Sequence, residues 1–242
     1  MIKSKPSEIV LLQGETIDTF KDGSLRIIQS KTGYRFSIDA ILLSDFVTIK
    51  KNDVVADLGT GCGVIPLSLL VSKPIRHAYC IEIQPELACQ AMRNTKLNNL
   101  EKKMSVIQGD IRNPPLAESS VNVVVCNPPY RRKESGRINP DNQRAIARHE
   151  IHASLDDIIK ASKHLLSTKG RLSIIYPAER LTDLIEKLRQ AGFEPKKLRV
   201  IYPDMDANAK LVLMEAWFGG KSGLTVLPPL IGQGDYSIEN QV

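Results

Sequence analysis

The sequence predicts an α/β fold built on a mostly parallel β-sheet, with a small N-terminal extension. From Asp53 onward, short and almost wholly apolar segments alternate with amphipathic ones. This alternation is typical of a parallel sheet covered by helices on both faces. The last two apolar segments are joined only by residues 203–209. That connection is too short for a helical crossover, so we expect the last pair of strands to be antiparallel.

The individual elements follow from the same pattern. Strands are predicted at residues 54–58, 78–83, 104–108, 121–126, 171–176, 197–202 and 210–218. Helices are predicted at residues 64–72, 85–99, 154–166 and 179–190, because apolar side chains there recur with helical spacing. Pro85 suits a first helical turn, Ser154 suits an N-cap, and Gly170 is expected to end the helix that Ser154 begins.

The first 50 residues have a different pattern. Residues 22–37 predict a small hairpin with its turn at Lys31-Thr32-Gly33, and residues 38–47 predict a short helix. This segment is too small for its own core. We therefore expect residues 1–50 to pack as an extension on a main domain at residues 51–220, followed by a tail at residues 221–242.

Composition narrows the class of protein. The net charge of +6 and the pI of about 9.1 are compatible with an anionic partner. The N-terminus has no apolar stretch long enough for a signal peptide or a membrane span, which predicts a cytoplasmic protein without a membrane partner. The four cysteines form no C-x-x-C pair, and the histidines lack zinc-ligand spacing, so we expect free thiols and no metal.

A glycine-rich turn joins the first strand of the sheet to its first helix. Gly59, Gly61 and Gly63 are spaced G-x-G-x-G, and Asp57 precedes them at the end of the strand. Glycine allows the backbone to turn with positive φ and to approach a ligand closely. The spacing departs from the G-x-G-x-x-G of dinucleotide sites, and an acid at this position suits a cationic ligand or hydroxyls.

Two further acids end the next two strands. Glu82 can accept hydrogen bonds from both hydroxyls of a ribose, and Asp110 can accept one from an adenine amine. Open α/β sheets bind ligands at this carboxyl edge. Taken singly, each acid could equally be a helix cap or a solvated loop residue.

The glycine turn and these acids resemble the S-adenosylmethionine site of class I methyltransferases. The resemblance covers residues 53–218 and implies a Rossmann-like, seven-stranded sheet with an antiparallel last strand. It implies S-adenosylmethionine as the cofactor, and it adds Ile83, Ile111 and Asn127 to the cofactor site.

The fourth predicted strand ends in Asn127-Pro128-Pro129-Tyr130. This sequence resembles the N-P-P-Y motif of methyltransferases that act on planar exocyclic nitrogens. The lone pair of such a nitrogen is delocalised, so two acceptors on its hydrogens would orient it toward the methyl group. The resemblance gives this role to the Asn127 side chain and the Pro128 carbonyl, and it stacks Tyr130 on the substrate. These three are the predicted catalytic residues.

A basic segment follows the motif. Residues 131–148 carry six cations against two acids, a net charge of +4, which suits the phosphates that flank a target base. A solvated charged loop is the alternative. The predicted RNA-binding residues are Arg131, Arg132, Lys133, Arg137, Arg144 and Arg148.

A narrower resemblance covers nearly the whole chain. Residues 34–46, the N-P-P-Y segment and residues 209–220 are similar to the bacterial tRNA(Val) adenine-37 N6-methyltransferase family. The resemblance implies tRNA as the partner, and Phe36 and Asp39 would help to close the cofactor pocket, although Asp39 could merely cap a helix. The alternatives are glutamine methylation of release factors, guanine N2 methylation of ribosomal RNA, and a non-catalytic RNA-binding module. The oligomeric state is not specified by the sequence.

Overall fold

The computed structural model describes residues 10–31, 37–128 and 153–232. Its helices are α1 (Ile38–Phe46), α2 (Val64–Ser72), α3 (Pro85–Leu97), α4 (Leu155–Leu165) and α5 (Leu181–Gln190). Its strands are β1 (Glu15–Phe20), β2 (Leu25–Ser30), β3 (Val54–Leu58), β4 (His77–Glu82), β5 (Met104–Gln108), β6 (Val121–Cys126), β7 (Leu166–Pro177), β8 (Phe193–Tyr202), β9 (Leu211–Phe218), β10 (Thr225–Val226) and β11 (Leu230–Ile231).

The large sheet has the strand order β10-β8-β9-β7-β6-β3-β4-β5, and β11 also pairs with β8. Strands β3 to β9 form the seven-stranded sheet that the sequence predicts. Strands β3 to β7 run parallel to one another, and β9 runs antiparallel to both β7 and β8. The α/β prediction with an antiparallel last strand is confirmed. Because β3 lies between β4 and β6, the glycine turn after β3 begins near the middle of the sheet.

A hydrophobic core covers each face of the sheet. One core combines α1, α2 and strand β2 with one side of the sheet, and it includes Leu25, Leu43, Leu67 and Val123. The other combines α4 and α5 with the opposite side, and it includes Ile158, Leu184 and Val124. The neighbouring residues Val123 and Val124 therefore face opposite cores, as expected for a strand that is buried on both sides.

The N-terminal segment contains a hairpin that begins earlier in the chain than the predicted one. Strand β2 pairs antiparallel with β1, which precedes it. The turn lies at residues 21–24, where Lys21 and Asp22 have φ values of 51° and 54° and Gly23 has 86°. The Asp22-Gly23 dipeptide is typical of such a turn. The predicted turn at Lys31 to Gly33 concerns a different pair of segments, and it stays a prediction. Residues 32 and 33 lie outside the described part.

Gly170 does not end the helix that Ser154 begins, so this prediction is wrong. Ser154 is the N-cap of α4 and forms a capping box with Asp157, as expected, but the helix stops at Leu165. Strand β7 starts at once, and its pairing with β6 skips from Leu166 to Arg171. A Cβ on Gly170 would lie 2.7 Å from the Ser167 carbonyl oxygen. Gly170 is therefore needed for the close approach inside this bulge.

Among the described helices, none combines the length and the apolar composition required to cross a lipid bilayer.

Candidate functional site at the carboxyl edge of the sheet

The glycine turn is held on strand β4. The amides of Gly59 and Thr60 both donate to the Ile81 carbonyl, at 2.9 and 3.1 Å. Gly59, Gly61 and Gly63 have φ values of 75°, 58° and 87°, a region in which residues with a Cβ are strained. All three predicted glycines are thus required by the backbone of this loop.

Gly63 has a second, steric reason to be glycine. A Cβ at this position would lie 2.9 Å from the Met104 Cε and 3.4 Å from the Ala91 Cβ. The loop is therefore in close contact with α3 and β5. Beside Gly59, in contrast, no atom of the described residues other than its chain neighbours lies within 4 Å of the position of a Cβ, so the described part of the chain leaves space at the first glycine.

Glu82 anchors the loop. One carboxylate oxygen accepts from the Gly61 amide and the other from the Gln84 amide, both at 2.9 Å. Only 4% of Glu82 is exposed. Each carboxylate oxygen retains a further lone pair, so Glu82 can hold the loop and still accept hydrogen bonds from a ligand.

Asp57 is fully buried at the end of β3. The Thr60 hydroxyl donates to its Oδ2 at 2.6 Å, whereas Oδ1 has no hydrogen-bond partner within the described part of the chain. Burial raises the pKa of Asp57 to about 7, and the nearby Glu82 charge adds to this effect. An unpartnered buried oxygen is costly, and a cationic or donor group of a ligand would satisfy it.

Asp110 lies two residues beyond the end of β5, as the sequence predicts, but it already has a partner. Both carboxylate oxygens accept from the Arg112 side chain, with contacts of 2.5 to 3.0 Å, and Oδ1 also accepts from the Arg112 amide. The hydrogen bonds from Arg112 hold the pKa of Asp110 below its ordinary value. For Asp110 to bind an adenine amine, Arg112 has to share or release it.

The structure places Asn127 and Pro128 at the same edge. Asp57 pairs with Val125 on β6 and with Cys80 on β4. Asn127 and Glu82 are therefore each two residues beyond the level of Asp57, on the two strands that flank it. Asn127 is half-buried and Pro128 is buried. The Asn-Pro pair thus begins one strand away from the glycine turn.

Of the other predicted site residues, some lie within the described ranges and some outside them. Ile83 and Ile111 are half-buried and follow Glu82 and Asp110. Asp39 is half-buried, and its Oδ2 accepts from the Ser37 hydroxyl at 2.9 Å, which holds it at the start of α1. The remaining predicted residues lie outside the described ranges: Phe36, Tyr130, Arg131, Arg132, Lys133, Arg137, Arg144 and Arg148.

The site fits S-adenosylmethionine in three respects. The loop leaves open space at Gly59, Asp57 presents an unpartnered oxygen, and Glu82 has lone pairs to spare. A cationic amino group and paired ribose hydroxyls are the groups that such acceptors prefer. Within residues 10–31, 37–128 and 153–232, no group of three or more His, Cys, Asp or Glu side chains could hold a metal ion.

Sequence reasoning missed three residues that shape this site. Thr60 donates to Asp57, Arg112 pairs with Asp110, and Asn94 on α3 donates to the Cys62 carbonyl inside the glycine loop at 2.9 Å. Arg112 could have been found from its spacing of two residues after Asp110. The signal for Asn94 is weaker: a second asparagine, Asn98, lies four residues later and on the same face of the helix.

Curated proteins that share one name are similar to this chain. A tRNA1(Val) (adenine(37)-N6)-methyltransferase from Aliivibrio salmonicida is 28% identical over 197 residues, covering 81% of this chain and 82% of the relative. A protein of the same name from Porphyromonas gingivalis strain W83 is 31% identical over 175 residues, covering 69% of this chain and 68% of the relative.

Solved structures share the fold at low sequence identity. A predicted O-methyltransferase from Agrobacterium tumefaciens superimposes with a TM-score of 0.63 at 21% identity, covering 79% of this chain and 86% of the other. The tRNA m1G37 methyltransferase of M. jannaschii gives 0.57 at 18% identity, covering 86% of this chain and 58% of the other.

The family model described as the methyltransferase small domain matches residues 37–191. This range contains the glycine turn, the three acids at the strand ends and the N-P-P-Y motif, and it makes up more than half of the chain. The chain therefore belongs to the methyltransferase small-domain family.

Proposed function

We propose that the protein is an S-adenosylmethionine-dependent N6-adenine methyltransferase that acts on tRNA, at the anticodon-loop adenine of tRNA(Val). The observation that carries this proposal is the position of Asn127 and Pro128 at the end of β6, beside the strand that leads into the glycine turn. The names of the curated relatives supply the substrate. A cytoplasmic location, where tRNA is modified, is part of the proposal.

In this proposal residues 51–220 form the methyltransferase domain and residues 1–50 pack on it. The core that Leu25 and Leu43 share with Val55 supports this packing.

The cofactor would be held by the acids that end three strands. Glu82 would accept hydrogen bonds from its ribose hydroxyls, the unpartnered oxygen of Asp57 would face its amino group, and Asp110 would receive the adenine amine. When bound, S-adenosylmethionine supplies an activated methyl group on a sulfonium. The contribution of the protein is then to position the acceptor nitrogen, which requires no metal and no covalent intermediate.

Asn127 and Pro128 would perform that positioning. The side-chain oxygen of Asn127 and the carbonyl of Pro128 would accept the two hydrogens of the adenine amine. Proline restricts the backbone on both sides of that carbonyl, because a second proline follows. Two fixed acceptors favour a pyramidal nitrogen with its lone pair directed at the methyl group. The proton can leave after transfer, so no general base is assigned.

Recognition of RNA is proposed from the sequence that follows the motif. Tyr130 would stack on the target base, a contact worth about 1–3 kcal/mol. Unstacking a base costs a few kcal/mol, so stacking alone does not extract a base from a firm duplex. A loop is the better substrate, and the six cations of residues 131–148 would contact the phosphates beside it.

A parallel labelling experiment tests the choice of substrate. Purified protein with S-adenosylmethionine carrying a labelled methyl group is supplied separately with total tRNA, an anticodon stem-loop, ribosomal RNA and a peptide release factor. We expect label in tRNA and in the stem-loop, recovered as N6-methyladenine after digestion. Label only in the release factor would establish glutamine methylation instead, and label only in ribosomal RNA would establish the guanine alternative.

Replacing Asn127 by Ala tests the catalytic assignment. We expect turnover to fall by about 100- to 1,000-fold, as when one preorganised hydrogen-bonding group is removed from an active site. Affinity for S-adenosylhomocysteine, measured by calorimetry, should fall much less than turnover, since Asn127 is only one of the residues assigned to the cofactor but holds the acceptor nitrogen directly. The control is Asn208→Ala, in an exposed loop three strands away. Retained turnover in Asn127→Ala would refute the assigned role.

The salt dependence of RNA binding tests the basic segment. If all six cations contact phosphates of a single strand, log K against log salt should have a slope of about −4. Filter binding between 50 and 300 mM KCl, about the range in which such slopes are measured, provides the plot. A flat response would place the RNA site elsewhere.

A further inference from the structure

Helix α3 binds the N-terminal hairpin through two asparagine side chains. Asn94 accepts from the Ile28 amide at 2.6 Å and donates to the Ile28 carbonyl at 3.2 Å. Asn98 does the same to Arg26, at 3.0 and 2.7 Å. The two asparagines are one helical turn apart, and their partners are alternate residues of β2. Each carboxamide thus pairs with one residue of β2 as a neighbouring strand would.

The two asparagines differ in one contact. The second amide hydrogen of Asn94 is donated to the Cys62 carbonyl, at 2.9 Å, in the middle of the glycine turn. That of Asn98 is donated to the Asn94 carbonyl of its own helix, at 2.8 Å. Only the first therefore connects the hairpin to the loop that is proposed to hold the cofactor.

Burial makes the Asn94 contacts the more important ones. Asn94 is fully buried, whereas Asn98 is half-buried. Both hydrogens of the Asn94 amide have acceptors and its oxygen has a donor, so its orientation is fixed. If Asn94 is shortened, the buried backbone groups of Cys62 and Ile28 lose their hydrogen-bond partner. At the half-buried Asn98, water can take the place of the lost side chain.

A steric contact supports the same connection. Ala91, one turn before Asn94 on α3, lies close to Gly63 of the loop, where an added Cβ would come within 3.4 Å. The loop is thus in contact with α3 at Gly63 and hydrogen-bonded to it at Cys62. Strand β4 holds the amides of Gly59 and Thr60, at the start of the loop, through the Ile81 carbonyl.

We infer that Asn94 is a positioning residue for cofactor binding, which fixes the glycine loop by tying it to the N-terminal hairpin. The inference about the loop stands on the contacts above, and its consequence for the cofactor rests on the proposed function. The hairpin is then more than an appended element, because its strand β2 holds the side chain that holds the loop.

The test compares Asn94→Ala with Asn98→Ala. Each variant loses two hydrogen bonds to one residue of β2, which is Ile28 for Asn94 and Arg26 for Asn98. Only Asn94→Ala also loses the bond to Cys62. The first measurement is amide hydrogen exchange of residues 59–64 in the ligand-free protein. The second is the affinity for S-adenosylhomocysteine by calorimetry. Asn94→Asp, which keeps the shape of the side chain and its acceptor, replaces the alanine variant if that does not fold.

We expect the loop amides of Asn94→Ala to exchange about tenfold faster than in the parent protein, and cofactor affinity to fall about tenfold. In Asn98→Ala both quantities should stay within about twofold. Equal exchange of the loop in the two variants would overturn the inference. If the parent protein itself fails to bind S-adenosylhomocysteine while the exchange rates still differ, the cofactor assignment fails and the role of Asn94 in fixing the loop stands.

Discussion

The carboxyl edge of the sheet carries two kinds of acidic side chain. Asp57 and Glu82 are buried. Asp57 accepts from the Thr60 hydroxyl of the glycine loop, and Glu82 accepts from the Gly61 and Gln84 amides. Asp110 is 33% exposed at its side chain and is paired with Arg112. Burial raises the pKa of Asp57 to about 7, whereas the Arg112 guanidinium lowers that of Asp110.

The difference follows from the place of each strand in the sheet. Strands β3 and β4 have neighbours on both sides, whereas β5 is the outermost strand. The ends of the central strands are closed over by the glycine loop, so their acids form part of its structure. The end of β5 is open to water, where an exposed acid can exchange one partner for another. The inner acids thus build the site, and the outer acid is available to a ligand only in competition with Arg112.

The largest expected effect concerns the protonation of Asp57. Because the pKa of Asp57 in the folded protein is raised above its ordinary value of 3.8, the protonated carboxyl stabilises the folded state. This stabilisation is complete below about pH 4 and is lost as the pH rises through 7. Over that range the loss is about 4 kcal/mol. Asp57→Asn keeps an acceptor for the Thr60 hydroxyl and cannot ionise. Urea unfolding from pH 4 to 8 should therefore show the parent losing stability relative to this variant. A constant difference between the two proteins would show that Asp57 does not titrate in this way.

The next largest effect is expected for Glu82→Ala. This change leaves the Gly61 and Gln84 amides without their acceptor, and an unsatisfied buried donor costs about 1–3 kcal/mol. We expect the free energy of unfolding to fall by about 3 kcal/mol, with loss of cofactor binding at millimolar concentrations. Urea unfolding and calorimetry measure the two quantities. Glu101→Ala, at an exposed turn, is the control and should change neither. An unchanged stability in Glu82→Ala would remove the distinction between inner and outer acids.

The smallest effects are expected at the outer acid. Asp110→Asn should weaken S-adenosylhomocysteine binding by about fivefold and leave unfolding nearly unchanged, because exposed ion pairs contribute little to stability. Arg112→Ala should strengthen binding by about twofold, since it frees the Asp110 carboxylate without removing it. Calorimetry at a constant pH of 7.5 distinguishes the two directions. Weaker binding in both variants would mean that the Arg112-Asp110 pair acts as one unit in holding the ligand.

The sequence predicts the buried parts of this molecule well. Strands at Val54–Leu58, Met104–Gln108 and Val121–Cys126 have the predicted bounds. The apolar side chains of Val54–Leu58 and Val121–Cys126 pack on both faces of the sheet, so pattern and burial are nearly the same information there. On the outer strand Met104–Gln108 only Met104 is buried. The positions of Asp57, Glu82 and Asn127 follow, because parallel strands bring their carboxyl ends to one edge.

The sequence predicts poorly where a residue's role depends on a distant partner. Strand β2 pairs with β1 through the turn at residues 21–24, and the apolar pattern of a strand does not show which segment it pairs with. The sequence pattern predicts a helix end at Gly170, whereas the structure places Gly170 in a bulge where a Cβ would clash with the Ser167 carbonyl. Asn94 meets a strand 66 residues earlier in the chain, a contact that spacing along one helix does not reveal.

The two short strands near the C-terminus cover one edge of the large sheet. Strands β10 and β11 add main-chain hydrogen bonds beside Lys197, Leu198, Ile201 and Tyr202, on the flank of β8 that faces away from β9. A bare flank of this kind can recruit a strand from another molecule and begin aggregation. Two short strands, each only two residues long, are sufficient to break up that row of free donors and acceptors. We therefore expect that truncation after Gly220, which removes β10 and β11, would leave this edge of β8 open to pairing with another molecule.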